Sequence, residues 1–580
     1  MGDNKNFILF AVLSLGILLG YQALYLGPKD AERLRYEQQQ RELQQDTIQP
    51  LDVLPAGQQA QIGQSPTEAP AAIPNSPAYI DAGRVTIDTP ELSGSISLRG
   101  ARLDDLLLKN HKETSEEGSP DIRLLTEFGE ARAYFASFGW TARGKGEGFV
   151  PDSGTAWTAD RSVLAPDSPV TLSWTNPENV TFQMHISIDD QFMFSIEQLV
   201  ENNSDELIQI APYGNISRNG RPDTQSLYIL HEGAIGVFDG ELQEIDYDDL
   251  EDDGDFQSGA SRAWLGITDK FWMTVLIPDQ NAPLSQSRIT RRAPNGEVFR
   301  VNYVQNWNPV PAGGVHSSTS RLFAGAKIVG TIDQYTDTLQ IDKFDLTIDW
   351  GWFFFLTKPI FAAVHYFYEA TGNFGVAILL MTVVLKLILF PLANKSYVSM
   401  AHMKRAQPKI KALQERYGDD KAKMQQEMMA LYKSEKINPM AGCLPLIPQM
   451  FIFFALYKVL YVTIEMRHQP FIGWIKDLSV ADPLTPVNLF GLLPFDPPGI
   501  IAVGVLPILM GISMWLQQKM TPNTAMDPTQ QKIMSMLPLI FTFVMAQFSA
   551  GLVLYWTWNN VLTIGQQWLI MRRENARNPE

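Results

Sequence analysis

The sequence predicts a mixed fold, in which a large all-β domain outside the bilayer precedes a polytopic α-helical membrane core. Residues 28–350 contain 25 basic and 49 acidic residues, whereas residues 395–440 contain 10 basic and 5 acidic residues. The basic segment lies between apolar stretches, and short alternating runs typical of strands recur in the acidic half. An acidic soluble half joined to a basic loop between apolar stretches indicates a membrane protein with sided topology.

An N-terminal transmembrane anchor is predicted over residues 1–27. The apolar stretch Phe7–Leu26 is long for the hydrophobic part of a signal peptide, and no clear Ala-x-Ala cleavage site follows it. A cleaved signal peptide is the alternative. Residues 28–80 begin with a charged, helix-prone stretch and continue with Gln, Pro, Ala and Ser, so we expect a flexible linker outside the cytoplasm.

Residues 81–346 are predicted to form one large all-β sandwich domain. Apolar and polar side chains alternate in short runs, and turn signals such as Asn-Pro at 176–177 and Asn-Gly at 219–220 separate them. The predicted strands are Arg84–Ile87, Ser95–Leu98, Val170–Trp174, Val180–Ile188, Met193–Val200 and Phe299–Gln305.

Two motifs in this domain imitate ligand sites. Asp249, Glu251 and Asp253 resemble the start of a calcium loop, but Ala260 stands where that loop needs a bidentate Glu. We therefore interpret them as a solvated acidic loop. The GKGEG run at 144–148 lacks the strand–turn–helix context of a nucleotide loop and is interpreted as a hairpin turn. Neither a Ser/His/Asp set nor a Cys/His metal spacing occurs, so we expect no catalysis, metal or cofactor.

An aromatic segment at residues 347–371 leads from the β domain into the core. It mixes Trp, Phe, Tyr and His with little charge, and such residues collect at the headgroup level of a bilayer. We expect a helix that lies in the outer interface. A further membrane span is the alternative, but it would place the later basic loops on opposite sides.

Five apolar stretches are predicted to span the membrane within a core at residues 372–572, which a short cytoplasmic tail at residues 573–580 follows. These spans are Phe374–Ala393, Gly442–Ile464, Gly499–Gln517, Ile533–Ala546 and Gly551–Ile570. The Ile533–Ala546 segment is short for a hydrocarbon core of about 30 Å. We therefore expect either that the bilayer is thin at this segment or that this segment and Gly551–Ile570 form a hairpin that crosses the membrane incompletely.

The orientation follows from the basic residues. Residues 395–440 carry ten, residues 518–532 carry two, and residues 571–580 carry three. If the spans alternate, all three segments fall on one side, which is therefore cytoplasmic. Counting the predicted spans back from these loops places the N-terminus in the cytoplasm and residues 28–370 on the opposite side of the membrane.

Lys386 is a cation inside the otherwise uncharged span Phe374–Ala393. A charge near the middle of a spanning helix costs about 2.5–3.5 kcal/mol on insertion scales. None of the other predicted spans contains an Asp or Glu, and we see no second polar cluster opposite the lysine. These observations favour a wet cavity and hence a functional site. Snorkelling toward Lys395, about 13 Å away along the helix axis, and a substrate site of a secondary transporter are the alternatives.

The cytoplasmic loop at residues 395–440 is predicted to form two antiparallel helices with a break near residues 417–420. Four cations cluster on the first helix, namely Lys404, Arg405, Lys409 and Lys411. They could dock ribosomal RNA, targeting components or acidic substrate segments. Ordinary positive-inside topology with contact to anionic lipids is an equally weighted alternative.

Several motifs from residue 371 onward resemble the YidC/Oxa/Alb membrane-protein insertase family. The matching pieces, in order, are TVVLKLILFPL, QPKIKALQERYGDDKAKMQQEMMALYK, NPMAGCLPLIPQMFIFFALY, PILMGISMWLQQKMTP, DPTQQKIM and GLVLYWTWNN. A long acidic domain after one N-terminal anchor is similar to the Gram-negative form of that family. The resemblance implies an inner-membrane insertase for nascent membrane proteins, acting alone or with the Sec translocon, and a β-supersandwich for the periplasmic domain.

The resemblance also implies a five-span core around a hydrophilic groove that is open to the cytoplasm and to lipid and closed outside. Lys386 falls where the groove cation of the family is usually Arg. Lysine keeps the positive charge but lacks the planar guanidinium group that can bind a carboxylate through two hydrogen bonds. Thr382 falls on the groove threonine. The implied substrate-contacting positions are Phe390, Pro445, Met450, Phe453, Met510, Met514, Tyr555 and Trp556. Lys458 is a second departure from the family, and we expect it to snorkel near the outer end of its span.

Overall fold

A computed structural model describes residues 83–222, 230–292, 297–417, 420–435, 444–490, 492–493, 502–521 and 528–577. The predicted anchor Phe7–Leu26 and the predicted linker at residues 28–80 lie outside the described residues.

The first half of the described chain is a β-sandwich. Its strands are β1 (Arg84–Asp88), β2 (Leu92–Ser97), β3 (Arg102–Lys112), β4 (Asp121–Leu125), β5 (Tyr134–Ala142), β6 (Thr158–Ala159), β7 (Val163–Leu164), β8 (Val170–Thr175), β9 (Val180–Ile188), β10 (Met193–Asn202), β11 (Ile208–Asn219), β12 (Gly233–Phe238), β13 (Glu241–Asp246), β14 (Phe256–Ser258), β15 (Ala263–Thr268), β16 (Trp272–Ile277), β17 (Leu284–Arg292), β18 (Val298–Gln305), β19 (Asn308–Val310) and β20 (Val315–Ala326).

The strands form two large sheets. The first has eleven strands in the order β14-β17-β18-β11-β5-β3-β2-β1-β7, with β19 beside β11 and β4 beside β3. The second has nine strands in the order β13-β12-β15-β16-β20-β10-β9-β8-β6. Neighbouring strands are antiparallel except for β1 and β7, which are parallel. The prediction of a large sandwich is confirmed.

Alternation of apolar and polar side chains explains why these segments form strands. Along β9, the side chains of Val180, Phe182 and Met184 are buried while the residues between them are half-buried. The predicted bounds of β9 are confirmed to the residue. Each such side chain contributes about 1.5–3 kcal/mol when it is fully buried. The core includes the fully buried rings of Trp264 and Phe323.

The second half of the described chain is helical. The helices, including two short ones in and after the sandwich, are α1 (Asp249–Asp252), α2 (Val329–Thr338), α3 (Phe354–Thr371), α4 (Phe374–Ile388), α5 (Phe390–Tyr417), α6 (Lys421–Ser434), α7 (Leu446–Val462), α8 (Val505–Met520), α9 (Pro528–Met545) and α10 (Ala550–Arg577). Among the described residues, none of these helices alone has both the length and the hydropathy of a membrane span. The bent pair α4–α5 meets those two criteria when it is taken together.

The predicted continuous helix Phe374–Ala393 is broken. α4 ends at Ile388, and α5 begins at Phe390 with a bend of 67° between the two axes. Pro391 explains the break, because its nitrogen cannot donate to the carbonyl of Leu387 and its ring would clash with that carbonyl. The first helix of the predicted hairpin at 395–440 therefore starts earlier than expected.

A loop at residues 464–490, called the outer loop below, holds the N-termini of α4 and α8. The side chain of Asn373 accepts from the amide of Val376, at 3.0 Å, and donates to the carbonyl of Phe471, at 2.9 Å. The buried carboxylate of Asp482 accepts from the amide of Leu506, at 2.7 Å. These bonds satisfy amides that a helix leaves without intrahelical partners.

The outer loop also holds the start of α10. The amide of Ala550 donates to the carbonyl of Val480, at 2.7 Å, and the amide of Gly551 donates to the carbonyl of Leu478, at 2.9 Å. The same loop therefore joins three helices at one end of the bundle.

Lys458 joins the helical core to the segment that follows the sandwich. Its Nζ lies 2.6 Å from a carboxylate oxygen of Asp349, and the lysine is only 9% exposed. The expectation that Lys458 snorkels is therefore wrong, because its charge is paired inside the protein.

Glu465 makes a second bond across this junction. Its Oε1 accepts from the amide of Val329, the first residue of α2, at 2.9 Å. Burial raises the pKa of the Glu465 carboxyl. Lys327 lies two residues before Val329. Burial lowers the pKa of Lys327 to about 8, and its Nζ donates to the hydroxyl oxygen of Thr268, at 3.1 Å. The junction thus contains buried polar groups with specific partners.

We expect the Lys458–Asp349 pair to stabilise the native state. Lys458→Met and Asp349→Asn should each lower the free energy of unfolding by about 1–3 kcal/mol, because each leaves a largely buried polar partner less well satisfied. Urea unfolding of the full chain in detergent measures this. The more exposed pair Lys358–Asp345 is the control, and Lys358→Met should cost less than about 1 kcal/mol. Equal small losses for both pairs would contradict the expectation.

Candidate functional site

Helix α4 presents Thr382 and Lys386 one turn apart on the same face. Thr382 is buried, and its hydroxyl donates to the carbonyl of Ile378, at 2.7 Å. Lys386 is half-buried, and its Nζ donates to the hydroxyl oxygen of Thr563, at 2.8 Å. This bond connects α4 to α10 across the bundle.

Thr563 belongs to a polar face of α10. Asn559, Thr563 and Gln567 follow one another at intervals of four residues, which places them on one side of a helix. Their exposures are 8%, 5% and 1%, so the polar face is turned into the bundle. Buried polar groups of this kind need hydrogen-bond partners.

Helix α8 supplies part of those partners. The side-chain amide of Asn560 donates to the hydroxyl of Ser513, at 2.9 Å, and that of Gln567 donates to the carbonyl of Met520, at 3.2 Å. The polar residues that α4, α8 and α10 place at this contact form what we call the polar seam, namely Thr382, Lys386, Ser513, Asn559, Asn560, Thr563 and Gln567. Lys386, Asn560 and Gln567 make the bonds between helices.

The sequence reasoning missed most of the polar seam. The expectation that no polar cluster lies opposite Lys386 is wrong, since α10 supplies one. The signal was present in the predicted span Gly551–Ile570, where Asn559, Thr563 and Gln567 recur with helical spacing. A count of acidic residues alone could not detect neutral amides and hydroxyls.

The eight implied substrate-contacting residues differ in exposure. Phe390 and Met450 are exposed, at 37% and 53%. The half-buried members are Pro445, Phe453, Met514 and Trp556. The rings of Phe453 and Trp556 meet edge to face with centroids 4.6 Å apart.

Met510 and Tyr555 are not part of an open face. Met510 is 0% exposed and Tyr555 is 2% exposed. The hydroxyl of Tyr555 accepts from the side-chain amide of Gln449, at 2.5 Å, which connects α10 to α7. Two of the eight implied substrate-contacting residues are therefore buried in this structure.

Helices α7 and α9 each carry an exposed apolar stripe with helical spacing. On α7 the stripe consists of Ile447, Met450, Phe451 and Phe454, all between 44% and 56% exposed. On α9 it consists of Met536, Leu539, Ile540 and Phe543, all between 48% and 59% exposed. Contiguous apolar patches of this kind mark membrane or protein contact surfaces.

The four predicted docking cations lie on α5. Lys404 and Lys411 are exposed, and Lys409 is exposed with its Nζ 2.6 Å from a carboxylate oxygen of Glu435. Arg405 is half-buried and donates to the backbone carbonyl of Glu574 in α10, at 2.6 Å. Arg405 therefore also has a structural contact, and Lys404 and Lys411 contribute charge to the surface.

The acidic loop of the β domain is partly engaged in ion pairs. Arg221 contacts both Asp248 and Glu251, and Arg288 lies 3.0 Å from Asp255. The loop is therefore less freely solvated than expected. Within the described ranges, no group of three or more His, Cys, Asp or Glu side chains is arranged to hold a metal ion.

Comparisons with known proteins match the whole chain. Residues 84–363 match the family described as YidC periplasmic domain, and residues 366–577 match the family described as 60Kd inner membrane protein. The chain is similar to the membrane protein insertase YidC of Beijerinckia indica subsp. indica, with 46% identity over 99% of this chain and 97% of that protein. It is also similar to the membrane protein insertase YidC of Brucella melitensis biotype 1, with 46% identity over 100% of this chain and 97% of that protein.

A solved structure is also similar to the chain. The crystal structure of an active YidC insertase with its first transmembrane domain resolved covers 83% of this chain, and the match covers 91% of that chain. The TM-score is 0.34 and the sequence identity is 17%.

We expect the hydroxyl of Thr563 to stabilise the polar seam. Thr563→Val keeps the volume but removes the acceptor for Lys386, so the free energy of unfolding should fall by about 1–3 kcal/mol. Thr563→Ser keeps the hydroxyl and should cost less. Unfolding in detergent, followed by tryptophan fluorescence, measures both variants.

Thr557→Val is the matched control for this substitution. The hydroxyl of Thr557 donates to the carbonyl of Val553 within the same helix, at 2.7 Å, just as the hydroxyl of Thr563 donates to the carbonyl of Asn559. A loss for Thr557→Val as large as that for Thr563→Val would show that the contact with Lys386 contributes little.

Proposed function

Because the chain belongs to the YidC membrane protein insertase family, a non-enzymatic family, we propose that Lys386 and the polar seam receive the polar segment of a client during insertion. The chain is an inner-membrane protein with a periplasmic β domain, and its clients are nascent membrane proteins.

The state of Lys386 carries the proposal. Its Nζ has a neutral hydroxyl as its partner, and within the described residues no carboxylate lies within ion-pair distance of it. Its positive charge is therefore available to an acidic group that enters from outside the protein. At about 4 Å, opposite unit charges attract by about 4 kcal/mol at an effective dielectric constant of about 20, against about 1 kcal/mol in bulk water. A partly buried lysine thus attracts a passing carboxylate more strongly than an exposed one.

The neutral groups of the polar seam support the same step. Asn559, Asn560 and Gln567 are at most 8% exposed, and the amides of Asn560 and Gln567 donate to α8. They would therefore offer donors and acceptors to a client backbone when α8 moves away from α10. An unsatisfied backbone group in hydrocarbon costs several kcal/mol, so such a lining lowers the barrier for a short polar segment. No nucleotide hydrolysis is needed for this step.

The outer loop supports a groove that is closed on the periplasmic side. It binds the N-termini of α4, α8 and α10, and so covers the end of the bundle from which these helices start. A client segment would then enter the seam from the cytoplasmic side. Topology with a cytoplasmic N-terminus and five core spans is part of this proposal.

The exposed stripe of α7 supports an exit path toward lipid. Met450 is exposed in this stripe, and Phe390 is exposed at the start of α5. Methionine and aromatic side chains repack easily against different clients. Helix α7 has 17 residues and a length of about 25 Å, which is less than the hydrocarbon core of about 30 Å. Local thinning of the bilayer would shorten the path that a polar client segment must cross.

We assign the exposed cations Lys404 and Lys411 to a cytoplasmic docking surface. Their chemistry suits ribosomal RNA, acidic targeting components and anionic lipids. An exit path toward lipid allows the protein to insert clients alone or together with the Sec translocon.

Reconstitution tests the proposed function. Purified protein in vesicles should insert a client with one or two spans in the absence of any other protein, and protease protection of the client measures the yield. Insertion at the same level by vesicles of lipid alone would refute the proposal.

The charge of Lys386 should matter more than its shape. Lys386→Arg should retain most insertion, whereas Lys386→Met should slow insertion of a client with an acidic outer segment by about tenfold or more. The same client with Asn in place of Asp should be affected less. Lys519→Met, which removes an exposed lysine at the end of α8, is the control and should change little. Equal losses in the Arg and Met variants would contradict the electrostatic role.

A further inference from the structure

A contact between the β domain and the outer loop contains two histidines that the proposed function does not use. His111 lies near the end of β3, and His468 follows Arg467 in the outer loop. The guanidinium group of Arg467 donates to the backbone carbonyl of Glu113, two residues after His111, at 3.0 Å. The two histidines therefore lie on opposite sides of one interface, which we call the β3 contact.

The β3 contact already carries positive charge before either histidine binds a proton. The guanidinium group of Arg467 lies 5.1 Å from the ring centroid of Trp272, and the Nζ of Lys270 lies 3.5 Å from that of Tyr461 in α7. Aromatic faces stabilise cations at such distances. The carboxylate of Glu232 accepts from the amide of Lys270, at 2.9 Å. Burial lowers the pKa of Lys270 to about 8, so this lysine is still mostly charged at neutral pH.

The surroundings of His111 oppose its protonation. Its Nε2 is buried and has no hydrogen-bond partner among the described residues. Burial lowers the pKa of His111, and the charges of Arg467 and His468 lower it further, whereas Glu91 raises it. The carboxylate of Glu91 also accepts from the side-chain amide of Asn110, at 2.9 Å. His111 is therefore neutral at pH 7, and a proton on its ring would meet two other basic groups.

The surroundings of His468 act in the same direction. Burial and the charge of Arg467 lower the pKa of His468, whereas Asp477 raises it. The Nε2 of His468 lies 3.8 Å from one carboxylate oxygen of Asp477, and the other oxygen accepts from the amide and the hydroxyl of Ser479, at 2.8 and 2.6 Å. The same carboxylate faces Arg467 and Lys270. One negative charge is therefore shared among several basic groups and cannot neutralise them all.

We propose that the β3 contact is a pH-sensitive switch, in which acidification on the periplasmic side charges His111 and His468 and loosens the β domain from the outer loop. Two charged rings would repel each other and Arg467 across the interface. Both histidines have a pKa below the ordinary value of 6.5 in the formed contact. The opened state therefore binds protons more readily, so the contact is stable above about pH 6.5 and weakens as the pH falls below that value.

The other charged groups at this junction leave the switch to the histidines. Lys112 is paired with Asp121, and the side chain of Glu113 is exposed to solvent. The pair of Lys458 with Asp349 also joins the helical core to the segment after the sandwich, and it contains no histidine. We therefore expect acidification to open the β3 contact while the β domain stays attached to the core.

Hydrogen exchange of the full chain in detergent tests the switch at pH 7.5 and pH 5.5, with labelling times scaled to the chemical exchange rate at each pH. Two amides report on the interface, because that of Glu113 donates to the carbonyl of Pro120, at 3.0 Å, and that of Leu478 donates to the carbonyl of Gln469, at 2.9 Å. Peptides that contain them should exchange about tenfold faster at pH 5.5, which corresponds to a pKa difference of about one unit. Strand β5 is the internal reference and should not change. A response in only one of the two peptides, or in neither, would overturn the proposal.

Histidine variants assign the response to the two rings. The double variant His111→Gln with His468→Gln should show the same corrected exchange at both pH values, because neither side chain titrates. His111→Arg places a fixed charge at the contact and should speed exchange at pH 7.5 as well. His185→Gln is the matched control, because His185 is an exposed histidine of β9 that bonds with the hydroxyl of Thr171, at 3.1 Å. A response that persists in the double variant, or one that is lost in His185→Gln, would overturn the proposal.

Glu465→Gln separates the histidines from the other titratable group of this junction. Glu465 accepts from the amide of Val329, and burial raises the pKa of its carboxyl, so acidification also acts on this residue. Glutamine keeps an acceptor oxygen but cannot titrate, and the variant should retain the pH response. Loss of the response in Glu465→Gln would assign the switch to the carboxyl and overturn the proposal. The measurements need no client, so their outcome is independent of the proposed function.

Discussion

The helical core depends on the hydrogen bond between Lys386 and Thr563, which gives a lysine in an apolar helix a polar partner. A lysine in an apolar helix requires polar surroundings, and α10 supplies them as a buried face of amides and hydroxyls. This requirement places α4 beside α10, and the bond from Asn560 to Ser513 then brings α8 to the same seam. The polar seam is a buried strip within a bundle core that is otherwise apolar, with Ile378, Met510 and Leu552 fully buried.

A second constraint acts on the backbone at the outer end of the bundle. The first amides of a helix have no partners within the helix, and here the outer loop provides them for three helices. The same loop continues into the junction with the β domain, where Glu465 binds the first amide of α2. The contacts that hold three helix starts and the contact with α2 are therefore made by one continuous segment.

Local patterns predicted the fold well and the contacts poorly. Alternation predicted β9 to the residue, because strand periodicity is visible within nine residues. The break at Leu389 could have been predicted from Pro391, whose effect on a helix is local. The partner of Lys458 could not, because Asp349 is distant in sequence and precedes α3 and α4. The polar face of α10 was visible as a spacing but required a search for neutral polar residues instead of charges.

The position of Lys386 decides what a single charge can do. At physiological ionic strength the Debye length is about 8 Å, so exposed cations such as Lys404 and Lys411 act on a client only at short distance. Lys386 is half-buried, and its attraction for a carboxylate is therefore screened less than that of an exposed lysine. A single charge is sufficient in the bundle for this reason, whereas recognition at the cytoplasmic surface needs several cations.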